Sequence, residues 1–196
     1  MRNYCATLQR RERLPMMSVV NSSSPVQLEL VTDQTRPVVE NLLQHYIHDL
    51  SQFRSSRPDE AGRFNLDERY AVFFSDSDRC AYLFRDESGP VGFGLIRGLN
   101  ESRRLMAGFF VVRGVRRLGV GRGAPLVMLR LHPGAWEIPF QEENAGAARF
   151  WREVAGSAVG RKWTEDRRPV PMKPHIPDDV WITLDSSEMR GDTPTP

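Results

Sequence analysis

No sustained hydrophobic period appears before residue 26; beyond it, short strand-like and helix-like patterns take turns along the chain. Residues 26–31 alternate apolar with polar, which predicts a half-buried strand. Over 36–50, Val38, Val39, Leu42, Leu43, Tyr46, Ile47 and Leu50 recur at helical spacing, and Pro37 suits a first turn, so this segment reads as a helix with one buried face. The polar stretch 51–63, holding Pro58 and Gly62, reads as a loop where a substrate enters, followed by a short helix over 65–74. Strands over 80–85 and 91–97 join through Ser88 and Gly89 as a hairpin, and 105–112 is a third, strongly apolar strand. A glycine-rich turn then leads into a helix over 120–131, which Pro133 and Gly134 end. Residues 136–140 form a short strand despite Pro139, and Asn144 caps a helix over 144–154. Closing strands over 160–164 and 180–184 flank a loop containing Pro169, Pro171, Pro174 and Pro177. This order predicts a mixed α/β sandwich with helices on both faces of the sheet.

Composition narrows the class without naming a function. The 196 residues suit one domain, with 40% hydrophobic and 27% charged residues as in an ordinary globular protein. We expect a disordered extension over 1–25, a single domain over 26–185 and a flexible tail over 186–196. Lys162 and Lys173 are the only lysines among 27 basic residues, a bias that fits genomic composition. The first 24 residues carry +3 and the remainder −1, so the folded part is nearly neutral and a nucleic-acid module has little support. Cys5 and Cys80 provide neither a disulfide framework nor a metal-ligand spacing, and the four histidines do not cluster, so no metal is expected. No stretch approaches the roughly 18 apolar residues of a membrane span, and the first 25 residues lack the apolar h-region of a secretory signal. A cytoplasmic protein without membrane or nucleic-acid partners is the expectation.

The chemistry concentrates between Phe109 and Ala124, where an apolar strand runs into Arg116, Arg117, Leu118, Gly119, Val120, Gly121 and Arg122 and then into a helix. A helix start offers unpaired N–H groups and partial positive charge, which together attract a diphosphate, and glycines allow close approach. No Lys-Ser/Thr pair follows, so this is no Walker A loop, and its place after several strands does not suit a Rossmann fingerprint. The Arg116-x-x-Gly119-x-Gly121 pattern resembles the acetyl-CoA pyrophosphate loop of the GNAT (Gcn5-related) N-acetyltransferases. Farther on, Trp136 to Phe140, then Asn144, Ala147, Phe150 and Trp151, resemble the GNAT segment in which a strand ends, the sheet splays and an Asn opens a helix. An uncharacterised bacterial branch of predicted acetyltransferases is the nearest likeness, and it covers about residues 26–184.

The resemblance implies a mostly antiparallel, splayed central sheet with helices on both faces, and acetyl-CoA as co-substrate. It implies that the backbone of Phe109, Phe110 and Val111 pairs with the pantetheine arm as an added strand would. Amides from Arg117 through Arg122 would hold the pyrophosphate, with charge from Arg116 and Arg122, while Asn144 faces the arm and Trp151 packs near the sulfur. Relatives often dimerise, so a homodimer is among the implied states. Two departures bear on mechanism. Many relatives have a Tyr where this chain has Trp151, and an indole N–H is no useful acid. Many have a Glu where this chain has Gly108.

A primary ammonium must lose a proton before attacking a thioester. Glu142 and Glu143, just before Asn144, are the leading candidates to receive it, and Glu101 and Asp49 are weaker ones. Neither cysteine has the context of a nucleophile, so direct attack by an amine in a ternary complex is expected. The competing expectation is a catalytically weak acyl-CoA-binding regulatory domain. The acceptor, a small-molecule or peptide amine, is not readable from these residues.

Overall fold

The computed structural model describes residues 17–19, 26–66, 68–116, 120–171 and 175–189. Its strands are β1 (Met17–Val19), β2 (Val26–Leu30), β3 (Arg79–Asp86), β4 (Gly89–Arg97), β5 (Arg103–Val111), β6 (Ala135–Phe140), β7 (Trp163–Arg168) and β8 (Asp179–Asp185). Its helices are α1 (Arg36–Arg54), the short α2 (Glu68–Ala71), α3 (Val120–Leu131) and α4 (Ala145–Val159). The strands form one sheet in the order β1-β2-β3-β4-β5-β6-β8-β7. Neighbours are antiparallel except β5 and β6, which α3 joins as a crossover.

Alternation along the strands divides the core in two. Leu83, Phe93, Leu95 and Phe110 face α1, meeting Val39 and Leu43. Phe84, Met128, Leu129, Trp136, Ile138, Trp151 and Val154 fill the other side, beneath α3 and α4. The expected helices on both faces are therefore present. Close approach of α3 depends on Gly94, where an added Cβ would stand 2.5 Å from the Met128 methyl. His132, at the end of α3, is buried in this second layer: Tyr82 Oη lies 2.9 Å from its Nε2, and Trp136 Nε1 donates to its carbonyl at 2.9 Å.

Several boundaries differ from the sequence reading. Met17–Val19, inside the expected disordered extension, pairs with β2 and covers an edge that would otherwise offer unpaired backbone groups. The rest of 1–25 lies outside the described residues. Ser186, placed in the expected tail, is buried, and its hydroxyl donates to Leu129 O at 3.0 Å, so the domain continues through Met189. The helix expected over 65–74 shortens to α2 and a 3₁₀ turn over Val72–Phe74. The strand expected over 160–164 starts at Trp163, because Gly160 ends α4 with φ 65°.

The feature that positions the site lies between β5 and β6. They pair only at Arg103↔Ala135, Arg104↔Trp136 and Leu105↔Glu137, and beyond Leu105 they part. Two local causes coincide there. The register of β4 on β5 shifts between Leu95 and Ile96, leaving Ala107 as a bulge that twists β5. Pro139, in the part of β6 that pairs with β8 but no longer with β5, has no N–H to give a neighbour.

Candidate active site

Past the bulge, β5 keeps its hydrogen bonds to β4 and exposes its other edge to the split. Val112 N donates to Val91 O at 2.9 Å, so by strand alternation Phe110 also turns its amide and carbonyl to β4, while Phe109 and Val111 turn theirs away. The expectation for Phe110 is corrected accordingly: its main chain is spent on β4. Val111 O accepts from Arg116 Nε at 2.7 Å. Phe109 N–H and C=O and Val111 N–H have no partner among the described residues.

The turn after β5 is tied to α1. Arg113 Nη2 donates to Asp49 Oδ1 at 2.7 Å and Arg116 Nη2 to Asp49 Oδ2 at 2.6 Å, while the Arg116 guanidinium lies 5.6 Å from the centre of the Phe110 ring. Arg116, expected at the pyrophosphate, is thus turned back onto β5 and α1. Arg117, Leu118 and Gly119 lie outside the described residues. Val120 opens α3, and its first turn holds no acidic residue, so the positive end of the helix is uncompensated from within. Gly121 is open on its side-chain side, with Phe150 the nearest contact at 3.6 Å. Arg122 reaches Glu153 on α4 at 3.3 Å.

The opposite wall comes from β6 and α4. Asn144 caps α4, its Oδ1 accepting from Ala147 N at 3.1 Å, in the turn that leaves the free end of β6. Trp151 is buried, and with Phe150 it encloses the Phe109 ring, at centroid distances of 5.3 Å and 5.4 Å. The split is therefore floored by aromatic carbon on the α4 side. Gly108 belongs to the α1 side, where an added Cβ would lie 3.2 Å from Leu95 Cδ1, tight enough to force Leu95 to move.

The two carboxylates expected as bases differ in their surroundings. Both oxygens of Glu142 accept from Arg152, at 3.1 Å and 2.7 Å, and Arg152 also bonds Glu165. The Arg152 hydrogen bonds hold the Glu142 pKa below the ordinary carboxylate value, the wrong direction for a base. Glu143 is exposed and makes no hydrogen bond among the described residues. Asp49 is committed to two arginines.

One carboxylate at the split escaped the sequence reading. Asp179 starts β8 just beyond the Phe140↔Val180 pair, at the free end of β6, and Arg54 Nη2 on α1 donates to its Oδ1. Burial pushes the Asp179 pKa up, Arg54 opposes that, and Glu143 and Asp178 reinforce it. The pair joins residues 125 apart in sequence, and no local pattern announces it. Among the described residues, no group of His, Cys, Asp or Glu is arranged to hold a metal ion. No described helix is long and apolar enough to cross a membrane.

No protein-family profile matches the chain, and no curated protein sequence matches it. Solved structures do. A ribosomal-protein-S18-alanine N-acetyltransferase from Escherichia coli superimposes with a TM-score of 0.52 at 12% identity, covering 86% of this chain and 97% of that one. A spermidine N-acetyltransferase from Vibrio cholerae gives 0.55 at 12% identity, over 83% and 96%. A GNAT-family acetyltransferase from Staphylococcus aureus Mu50 gives 0.54 at 12% identity, over 82% and 99%. The chain has the fold of the GNAT acetyltransferases, with the mixed, mostly antiparallel, split sheet expected from its motifs.

Proposed function

We propose that this protein is a GNAT-type N-acetyltransferase that transfers acetyl from acetyl-CoA to an amine by direct attack in a ternary complex. The observation that carries the reading is the parting of β5 from β6 after Leu105, which leaves main-chain groups of Phe109 and Val111 facing an opening headed by the start of α3. The neighbours with this fold are named for acetyl transfer to a polyamine and to a ribosomal protein, which supports an amine acceptor here.

The residues fit the co-substrate. Phe109 N–H and C=O and Val111 N–H, unpaired among the described residues, form a strand edge suited to the amides of a pantetheine arm. Backbone amides of Val120, Gly121 and Arg122, with those of Arg117 to Gly119, would meet the pyrophosphate at a positive helix end. Phe109, Phe150 and Trp151 keep the opening dry on the α4 side. Acetyl-CoA supplies an activated acetyl thioester, and the protein's part is chiefly to hold it against the amine. Trp151 offers no proton to the departing sulfur. The nearby start of α4 favours a thiolate, whose pKa near 8.5 makes it a tolerable leaving group.

Arg116 adds rigidity at Val111 O in place of direct contact with phosphate. Glu142 serves Arg152 and is not assigned the base role. A cytoplasmic location and a single domain accompany this reading. The alternative, an acyl-CoA-binding regulatory domain, draws on the crowded Gly108 and the buried Trp151. The test is calorimetry with acetyl-CoA followed by an acceptor screen for CoA release. Absence of binding defeats both readings, and binding without release from any amine favours the regulatory one.

A further inference from the structure

β5 carries no titratable side chain from Leu105 to Val111, so any acid acting at the split comes from another element. Three carboxylates come into question, Asp49 on α1, Glu143 in the turn before α4, and Asp179 at the start of β8. Both oxygens of Asp49 are held by Arg113 and Arg116, and Glu143 is exposed and makes no hydrogen bond among the described residues. Asp179 differs from both. Its Oδ1 is fixed by Arg54, its Oδ2 has no hydrogen-bond partner among the described residues, and its side chain is only 20% exposed.

The course of α1 explains why this carboxylate faces the reacting region. Tyr46 packs edge-on against Phe93 and Phe110, at centroid distances of 5.6 Å and 6.2 Å, which puts the middle of α1 over β4 and β5. Arg54, eight residues later, reaches β8 on the far side of the split. The second half of α1 therefore roofs the opening, and Asp179 sits under that roof at the free end of β6. Arg54 Nη1 is buried without a hydrogen-bond partner among the described residues, so within them the ion pair is not saturated.

Resting on the acetyltransferase reading, we infer that Asp179 is the catalytic residue that takes up the acceptor ammonium and receives its proton, with Arg54 as the positioning residue that aims it. The groups facing Asp179 are Arg54 and Tyr46 from α1, Glu143 from the turn before α4, and Asp178 beside it. The three acids draw a cationic amine toward the roofed end of the split. The ammonium proton passes to Asp179 Oδ2, and the freed lone pair of the nitrogen forms the C–N bond to the thioester carbonyl carbon. The C–S bond then breaks with its electron pair on sulfur. The second N–H proton goes to that sulfur, and Asp179 returns its proton to water.

The direction of the Asp179 shift fits this work. Burial, Glu143 and Asp178 raise its affinity for a proton, although Arg54 lowers it, and the balance lies above the ordinary carboxylate value. Activity should therefore be present where Asp179 is ionised and fall away as pH drops through that raised pKa.

The experiment compares wild type, Asp179→Asn and Asp179→Glu in CoA release from acetyl-CoA with spermidine, L-alaninamide and benzylamine, alongside calorimetry with acetyl-CoA and thermal unfolding. Expected for Asp179→Asn are a loss of about a hundredfold in kcat, acetyl-CoA affinity within about twofold of wild type, and a kcat/KM that keeps climbing with hydroxide across the pH range where wild type is flat. Asp179→Glu should recover part of the rate and the flat profile. A kcat for Asp179→Asn within about threefold of wild type overturns the inference while leaving the acetyltransferase reading intact. Binding of acetyl-CoA by wild type with no CoA released from any of the three amines also overturns the inference, and it favours the regulatory reading over the acetyltransferase one. If wild type fails to bind acetyl-CoA, the underlying reading falls as well. Should Asp179→Asn unfold, Asp179→Glu alone decides, and a rate and pH profile unchanged from wild type, with an altered melting temperature, would make the role structural.

Discussion

Arg116 Nη2 lies 2.6 Å from Asp49 Oδ2 while Arg113 Nη2 lies 2.7 Å from Oδ1, so one carboxylate on α1 holds two cations of the turn that leads into α3. Burial alone would raise the Asp49 pKa, but the hydrogen bonds from Arg116 and Arg113 outweigh it and keep the group ionised. In the proposed complex that negative charge offsets part of the positive field that the two guanidinium groups set up near the pyrophosphate. Asp49→Asn should therefore bind acetyl-CoA more tightly at low salt, by about threefold to tenfold, with the gain fading at high salt as screening sets in. Calorimetry at the two salt concentrations checks this, and weaker binding by the variant would mean that the brace, more than the free charge, shapes the turn.

Gly121 separates bulk from charge at the start of α3. An added Cβ meets only Phe150, at 3.6 Å, an ordinary contact, so Gly121→Ala should leave both the melting temperature and the acetyl-CoA affinity close to wild type. Gly121→Glu places a carboxylate at the positive helix end, where the phosphates would lie, and should weaken acetyl-CoA at least about a hundredfold without unfolding the domain. Equal affinity for all three proteins would remove the phosphate cradle from the mechanism.

How much of this was legible in the sequence depends on the range of each interaction. The faces of α1 and α4 follow from spacing, and the Asn144 cap follows from an Asn standing three residues before the amide it accepts from, so local patterns reached them. The strand edge at Phe109 and Val111 was reached through a resemblance. Its alternation, which takes Phe110 out of the open edge, depends on the partner strand and so required the fold. The fork of Arg152 on Glu142 spans 10 residues and the Arg54 to Asp179 pair spans 125. Long flexible side chains choose such partners only after the strands are in place. For that reason Glu142, adjacent to the split in sequence, reads as a base and turns out to be a strut.

Trp151 tests whether the aromatic floor is structural or chemical. Its indole is buried against Phe109 and Phe150, at 5.3 Å and 4.9 Å, and it belongs to the core beneath α3 and α4. Trp151→Ala should cost about 3–5 kcal/mol in urea denaturation through loss of buried area and the cavity left behind. Trp151→Phe keeps most of the ring contact and should cost about 1–2 kcal/mol. If the indole takes no part in proton transfer, Trp151→Phe keeps kcat within about threefold of wild type, and a larger fall with unchanged stability would give the N–H a catalytic part.

His132 gives the fold a pH dependence of its own. Burial, assisted by the charge of Arg104, lowers its pKa from 6.5 to about 4, so the folded protein holds a neutral imidazole against Tyr82 while the unfolded chain protonates it near 6.5. Between those two values the unfolded state binds more protons, and stability falls as pH falls. The contribution is complete above pH 6.5 and lost by about pH 4, and at about 1.4 kcal/mol per pH unit it amounts to about 3 kcal/mol. His132→Gln cannot titrate, so its urea midpoint should change much less than that of wild type across the same interval, even though the variant begins from a lower stability at neutral pH. Parallel slopes for the two proteins would assign the acid sensitivity of this interval to groups other than His132, and the arginine-bound Asp49 and Glu142 would not be among them. Those carboxylates have pKa values held below normal, and their protonation removes stability only in more acidic solution.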